Sequence, residues 1–369
     1  MLRTLVFITF AANLQPYKGF QLYKMLKRPT LVVIALVVLI SFSIGISANT
    51  HTESEGQKKA ISIGFYNVEN LFDTVDDPEK EDDEFLPSGE KQWTEERYAD
   101  KITKLSTVIS QLGPDLPAIV GLCEVENQAV IEDLASANAL KKGEYSFVHY
   151  ESGDERGIDV AMLYQKKLFK VIYSKPILVP LPETERPTRD ILYVKGKVSK
   201  GPELHVFVNH WPSRWGGQEQ SEFKRLSAAK TLKAAIDSVM GTDPNALIIC
   251  MGDFNDYPSN KSITEILKAD SLNTDSKMVN LMHGLQKDQR GSYNYKGEWD
   301  FLDQIIVSRT LTDYELPDIV SSSTKPFFFD EMLYLNEEYG DIKTNRTYAG
   351  TKYFGGYSDH LPVYTILAY

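Results

Sequence analysis

The sequence predicts an α/β domain in which mixed β-sheets pack on one another and helices cover them. Three observations carry this. Ala246 to Met251 is a near-continuous apolar run, the pattern of a strand covered on both faces. Ile61 to Asn67 and Leu204 to His210 alternate instead, with Ile61, Ile63 and Phe65, and Leu204, Val206 and Val208, each on one face. Strand-like segments outnumber helical ones and do not alternate strictly with them, which favours packed mixed sheets over a doubly wound parallel sheet.

The elements follow in chain order. Met25-Leu26-Lys27-Arg28 is a basic start, Leu31 to Ile46 is apolar, and Ile46-Ser47-Ala48 offers small residues for cleavage. These are the three parts of a secretory signal. The apolar run is short for a bilayer span, which takes about 20 residues, and a retained N-terminal anchor is the alternative. Met25 suits initiation better than Met1, so residues 1–24 read as a misassigned extension, 25–48 as signal or anchor, and 49–60 as a linker. From 61 to 369 no Pro/Gly/Ser-rich tract or repeat divides the chain, and one domain is expected.

Within it, Ile61 to Asn67 is the first strand. A helix is expected from Glu95 to Leu112, capped by Thr94, with Glu95 and Glu96 at its positive end and Gly113-Pro114 as its stop. Pro117 to Val125 reads as a buried strand, Asn127 as a helix start, and Ile158 to Tyr164 and Leu204 to His210 as strands. A long helix follows, with Leu226, Ala229, Leu232, Ile236 and Val239 at helical spacing and Gly241 as its expected stop. Ala246 to Met251, Leu302 to Ser308 and Leu361 to Ala368 complete the strands.

Formal net charge is −11, and much of it crowds between Asp73 and Glu96, read as a solvated loop. A dedicated duplex-DNA binder shows a basic footprint, and no such surface is evident here. The two cysteines, Cys123 and Cys250, lie inside apolar runs and are expected as free buried thiols.

The chemistry concentrates at strand ends. Ala246 to Met251 delivers Gly252-Asp253-Phe254-Asn255-Asp256, and Ser358-Asp359-His360 precedes the last strand. Oxygen donors with histidine suit a hard cation working on phosphate, not a soft-metal or thiol site. Alternation places Asp253 on the face of Leu247, Ile249 and Met251, projecting beyond the core. Alone, Asp253 to Asp256 would equally suit an Asx turn.

In order along the chain stand Phe65-Tyr66-Asn67-Val68-Glu69-Asn70, Gly121-Leu122-Cys123-Glu124, Val208-Asn209-His210-Trp211-Pro212-Ser213, Gly252-Asp253-Phe254-Asn255-Asp256, Phe301-Leu302-Asp303-Gln304-Ile305 and Ser358-Asp359-His360. Together they resemble the endonuclease/exonuclease/phosphatase family, which includes DNase I-like nucleases, sphingomyelinases and inositol polyphosphate phosphatases. The resemblance covers nearly everything from Ile61 to Tyr369.

It implies a four-layer α/β sandwich, two packed mixed β-sheets flanked by helices, with a divalent metal at their rim. That metal would be Mg²⁺, with Mn²⁺ or Ca²⁺ as substitutes. Glu124 would be the main metal ligand, with Asn67 beside it in the metal and phosphate environment and Asp359 a direct or water-mediated ligand. Asp253 and Asn255 match the pair that activates and orients the attacking water. His210 matches the histidine at the departing oxygen, and His360 its counterpart near the phosphate. By the family's His–carboxylate pairs, Asp159 would orient His210 and Asp303 would orient His360, raising each imidazole's pKa.

Arg156, Arg189 and Arg214 are candidate phosphate clamps, because a guanidinium grips two phosphate oxygens. Trp211, Trp215, Tyr257, Tyr293, Tyr295 and Trp299 are candidates for a cleft wall. The resulting expectation is an exported Mg²⁺-dependent phosphodiesterase, monomeric, with nucleic acid as its substrate. A phosphomonoesterase or lipid-headgroup enzyme is the alternative, since it needs little basic surface. An inactive binding module would have lost acids and histidines from this set, and none is missing.

Overall fold

The computed structural model describes residues 58–285, 291–320, 322–337 and 340–369. The expected signal, anchor and N-terminal extension lie outside them. Among the described residues no helix is long and apolar enough to cross a membrane.

In chain order the larger elements are β1 (Ala60–Leu71), α1 (Glu95–Ile109), β2 (Ile119–Val125), α2 (Gln128–Ser136), β3 (Tyr145–His149), β4 (Asp159–Gln165), β5 (Phe169–Ile177), β6 (Ile191–Val198), β7 (Glu203–His210), α3 (Gln218–Thr242) and β8 (Ile248–Asp253). Then come β9 (Ala269–Asp270), β10 (Met278–Asn280), the hairpin β11 (Tyr293–Tyr295) and β12 (Glu298–Asp300), and β13 (Asp303–Ser308). The chain closes with β14 (Asp318–Ile319), β15 (Lys325–Pro326), the hairpins β16 (Leu333–Asn336)/β17 (Asp341–Thr344) and β18 (Tyr348–Ala349)/β19 (Lys352–Tyr353), and β20 (Val363–Ala368).

The strands build two seven-stranded sheets, ordered β14-β20-β1-β2-β4-β3, with β15 also on β20, and β5-β6-β7-β8-β13-β10-β9. Both are mixed: β1–β2 and β7–β8 run parallel, their other main neighbours antiparallel. Ile63, Ile119 and Met162 of the first sheet meet Val194, Val206, Ile249 and Ile305 of the second in a buried core. On the first sheet's outer face Tyr66, Leu122 and Leu163 pack against Leu105 and Ile109 of α1 and Val130 and Leu134 of α2. On the second sheet's outer face Phe207, Ile248 and Cys250 pack against Ala228, Leu232 and Ile236 of α3. Helix, sheet, sheet, helix: the four-layer sandwich is present. The sheets touch where Gly121 sits, since a Cβ there would lie 2.7 Å from the sulfur of Met251.

Thr94 caps α1 by accepting from Arg97 N. Gly241 does not stop α3, which runs to Thr242. One glycine in a last turn costs about 1 kcal/mol of helix propensity, and the apolar face packed on the second sheet outweighs it. Asn127 starts α2 by accepting from Val130 N. The acidic stretch is only partly a solvated loop: Asp82 is buried and accepts from Asp77 N, and Glu81 pairs with Arg186. Cys123 and Cys250 are free and buried.

Register does the positioning. Parallel pairing sets His210 beside Asp253, and antiparallel pairing sets Asp303 beside Asp253, so three neighbouring strands place three functional groups on one rung. In the first sheet Asn67 pairs with Cys123, one residue before Glu124. Both rungs lie at the same edge of the sandwich.

Candidate active site

Asn67, fully buried on the inner face of β1, spans the two sheets. Its Nδ2 donates to Glu124 Oε1 and to Asp253 Oδ2, each at 3.1 Å, while its Oδ1 accepts from Glu69 N at 3.0 Å. Glu69 and Asn70 then take left-handed φ of 51° and 52°, which breaks the regular pairing of β1. Asn70 N can therefore turn back to donate to Glu124 Oε2 at 2.9 Å.

Glu124 reaches this point through an irregularity. Strict alternation from Cys123, which faces the core between the sheets, would aim Glu124 at the helices. Pairing with β4 skips Glu124, whose φ is 62°. Left-handed backbone is costly for a non-glycine residue and recurs at functional sites. Asn255 repeats the device, with φ 49°, its N donating to Asp253 Oδ1 at 2.8 Å and its Nδ2 to Trp211 O at 3.0 Å.

Asp253, 2% exposed, lies 3.7 Å from His210 Nε2 and 3.9 Å from His360 Nε2. Burial pushes its carboxyl up to about 7; His360 opposes that shift and Asp303 adds to it. His360 Nδ1 meets Asp303 Oδ2 at 2.7 Å. Burial alone would lower the His360 pKa, but Asp303, with Asp253 and Asp359 nearby, raises it well above the ordinary histidine value. Tyr293 lies against the same imidazole, ring centres 4.7 Å apart. The Asp303–His360 pair expected from the sequence is therefore in place.

The Asp159–His210 pair is not. Asp159 accepts from Ser152 N at 2.9 Å and meets His149 Nε2 at 3.2 Å. His210 Nδ1 is buried with no hydrogen-bond partner among the described residues. Its pKa falls well below 6.5 through burial, then through Arg189, Arg156 and His360. The sequence reading expected a raised value; His210 instead has cationic neighbours and no carboxylate on its Nδ1. The Asp159 side chain is taken by a histidine of the adjacent strand β3, since Ala161 pairs with His149.

Arg214 is held largely by the protein itself. Its guanidinium donates to Asn255 O, Gln218, Asp256 and Asn260 and stacks on Tyr257, 4.1 Å from the ring centre. It braces the loop after β8 with four hydrogen bonds to protein acceptors while lining the cleft. Arg189 and Arg156 share Asp154 as a partner and line the cleft. Asp359 Oδ2 accepts from Arg346 at 3.0 Å.

Sequence reasoning missed several supporting residues. Glu69 accepts from Thr347 N and Tyr348 N and pairs with Arg346, tying the segment before β18 to β1. Buried Lys101 of α1 donates to Thr347 Oγ1 and Tyr357 O. Arg225 of α3, fully buried, pairs with Asp256 at 2.8 Å. The one available signal was a charged residue inside an apolar helical stripe, as at Arg225.

These groups open on a cleft of about 630 Å³, with carboxylates and histidines at its floor and Trp215, Tyr257, Tyr293 and Tyr295 among its walls. Glu124, Asp253 and Asp359 bring three carboxylates to one cavity, and the buried Asp253 carboxyl is held far above its ordinary value. Such a set of hard oxygen donors fits a divalent cation.

The profile of the Endonuclease/Exonuclease/phosphatase family matches residues 62–369. The chain belongs to this family. It is a metal-dependent hydrolase of phosphoester bonds, with the family's DNase I-like sandwich. Among solved structures it is similar to a family member from Bacteroides thetaiotaomicron at 14% identity, covering 85% of this chain and 99% of that one, with TM-score 0.51. D. rerio TDP2 complexed with a single-strand DNA product matches at 16% identity, 84% and 99% coverage and TM-score 0.52. A mannosyl-6-phosphatase from Bacteroides thetaiotaomicron matches at 15% identity, 84% and 100% coverage and TM-score 0.52. These likenesses show the fold. No curated protein matches the sequence.

Proposed function

We propose that this protein is an exported, Mg²⁺-dependent phosphodiesterase whose substrate is nucleic acid. One observation carries the reading: the Asn67 amide joins Glu124 of one sheet to Asp253 of the other, at the floor of an aromatic-walled cleft. Aromatic walls supply faces on which bases stack. The basic start and apolar run before Ala48 support export.

Glu124 would hold the cation, with Asp359 alongside and Asn67 fixing the Glu124 carboxylate. When bound, Mg²⁺ supplies charge neutralisation at phosphate oxygens. Asp253 takes the proton of the attacking water, which Asn255, anchored on Trp211 O, orients. The His360–Asp303 pair presents a cationic imidazole to the phosphate, and His210 stands at the departing oxygen. Positioning and electrostatics then provide most of the rate.

Arg156 and Arg189 favour a second reading, a phosphomonoesterase, because their charge also suits a dianionic terminal phosphate. The deciding assay incubates the purified protein, with Mg²⁺ and with EDTA, on plasmid DNA, RNA, p-nitrophenyl phosphate, a sugar phosphate and sphingomyelin. Nicking of plasmid or cleavage of RNA that needs Mg²⁺ and drops by at least about 10³-fold in Asp253→Ala is expected. Hydrolysis of monoesters or lipid alone would overturn the nuclease reading, and an Asp253→Ala enzyme near wild type would overturn the assignment of the base.

A further inference from the structure

The cleft is lined by arginines as well as by carboxylates. Asp154, 5% exposed, accepts from Arg189 Nη1 at 3.0 Å and from Arg156 Nε at 3.3 Å and Nη2 at 3.4 Å. Two guanidiniums on one carboxylate leave an excess of positive charge. Burial works against the Asp154 carboxylate, yet Arg189 and Arg156 hold it below its ordinary range, so the carboxylate stays charged and the pair stays assembled.

Arg189 is 5% exposed, and its Nη2 donates to Trp211 O at 2.7 Å. Its Nε is buried and has no hydrogen-bond partner among the described residues, although the side chain lines the cleft. A buried guanidinium N–H without an acceptor is an unfavourable state that an anion would relieve. Arg156 lines the same cleft with a side chain 51% exposed.

Among the described residues neither arginine comes within the 4.0 Å of an ion pair to Glu124, Asp253 or Asp359. His210 lies close to both sets of groups. Its Nε2 is 3.8 Å from Glu124 and 3.7 Å from Asp253, while Arg189 holds the carbonyl of the next residue. Arg189 is thereby held beside the position assigned to the departing oxygen, and Arg156 shares its carboxylate partner.

We propose that Arg156 and Arg189 form a second anion subsite, which takes a phosphate carried by the departing part of the substrate. It deepens the phosphodiesterase reading and rests on it for the identity of the departing part. The phosphate would belong either to the next nucleotide of a strand or to a small molecule phosphorylated twice.

The test has two arms. In the first, full-length protein in EDTA is titrated with inorganic phosphate while the arginine Nε–Hε resonances are followed by NMR. Saturable shifts of the Arg156 and Arg189 resonances are expected, weakened in Arg156→Gln; their absence at millimolar phosphate would overturn the subsite. This arm needs neither metal nor turnover, so a protein that binds phosphate yet cleaves no phosphoester would keep the subsite and lose the functional reading.

The second arm compares kcat/KM, in Mg²⁺, for a dinucleotide with and without a phosphate on its departing nucleoside, and for a sugar bisphosphate against its monophosphate. A preference for the extra phosphate that falls about tenfold in Arg156→Gln supports the subsite, and the substrate pair that shows it names the source. Equal rates on both members of both pairs would overturn it.

Discussion

Single residues here carry roles through their neighbours as much as through their chemistry. Asn67 was expected beside the metal, and the structure adds that its amide bonds two carboxylates from opposite sheets. Asp303 and His360 were legible because both sit in short motifs; Arg346 was not, because its contacts with Glu69 and Asp359 depend on how distant segments pack. Glu126 shows the same dependence. It is buried, accepts from Asp73 N, and is pushed up to about 8 by burial, against the Asp73 amide and with help from Asp73, Asp82 and Asp77. Since the folded-state value lies above the unfolded one, its contribution to stability is full below about pH 4.3 and is lost as pH rises towards 8. Glu126→Gln should therefore gain stability relative to wild type across that window, on the order of 1–2 kcal/mol at pH 8 and none near pH 4. Urea unfolding at several pH values checks this, and a gain independent of pH would refute it.

At the scale of elements, the strand ends are what place the groups, and the breaks in regularity are what aim them. The alternating and apolar patterns of β1, β7 and β8 were readable because one or both of their faces are covered by apolar layers. β5 was not: its burial follows no simple alternation, and it lies at an edge of the second sheet. The left-handed backbone at Glu124 was equally invisible, because nothing local marks a glutamate for a positive φ. Helix α3 contributes more than a covering face, since its buried Arg225 is anchored on Asp256 of the loop that follows Asp253. Arg225→Met removes the buried partner of Asp256 and leaves Arg214 and Ser262 to hold that carboxylate, so it should cost about 1–3 kcal/mol. The loss should shrink in the Arg225→Met, Asp256→Asn double variant, and additive losses in chemical denaturation would show the pair to be uncoupled.

For the whole molecule, two sheets from distant parts of the chain converge their acids on one cleft, so the folded state alone assembles the cation site. Mg²⁺ should accordingly bind the native state and not the unfolded chain. Stability should rise by about 2.7 kcal/mol when Mg²⁺ stands a hundredfold above its Kd, seen as a higher Tm. Glu124→Gln should abolish most of that rise, whereas an equal rise in the variant would place the cation elsewhere.

The sequence by itself determined the sandwich class, the family, and the acids and histidines that gather at the cleft, because burial periodicity and short motifs are local properties of the chain. Tertiary structure alone decided the partners. Asp159 serves His149 and leaves His210 Nδ1 without a carboxylate; Arg214 braces a loop; Arg156 and Arg189 meet on Asp154. Those outcomes depend on register between strands and on the direction of irregular backbone, and both are set by packing between residues far apart in the chain.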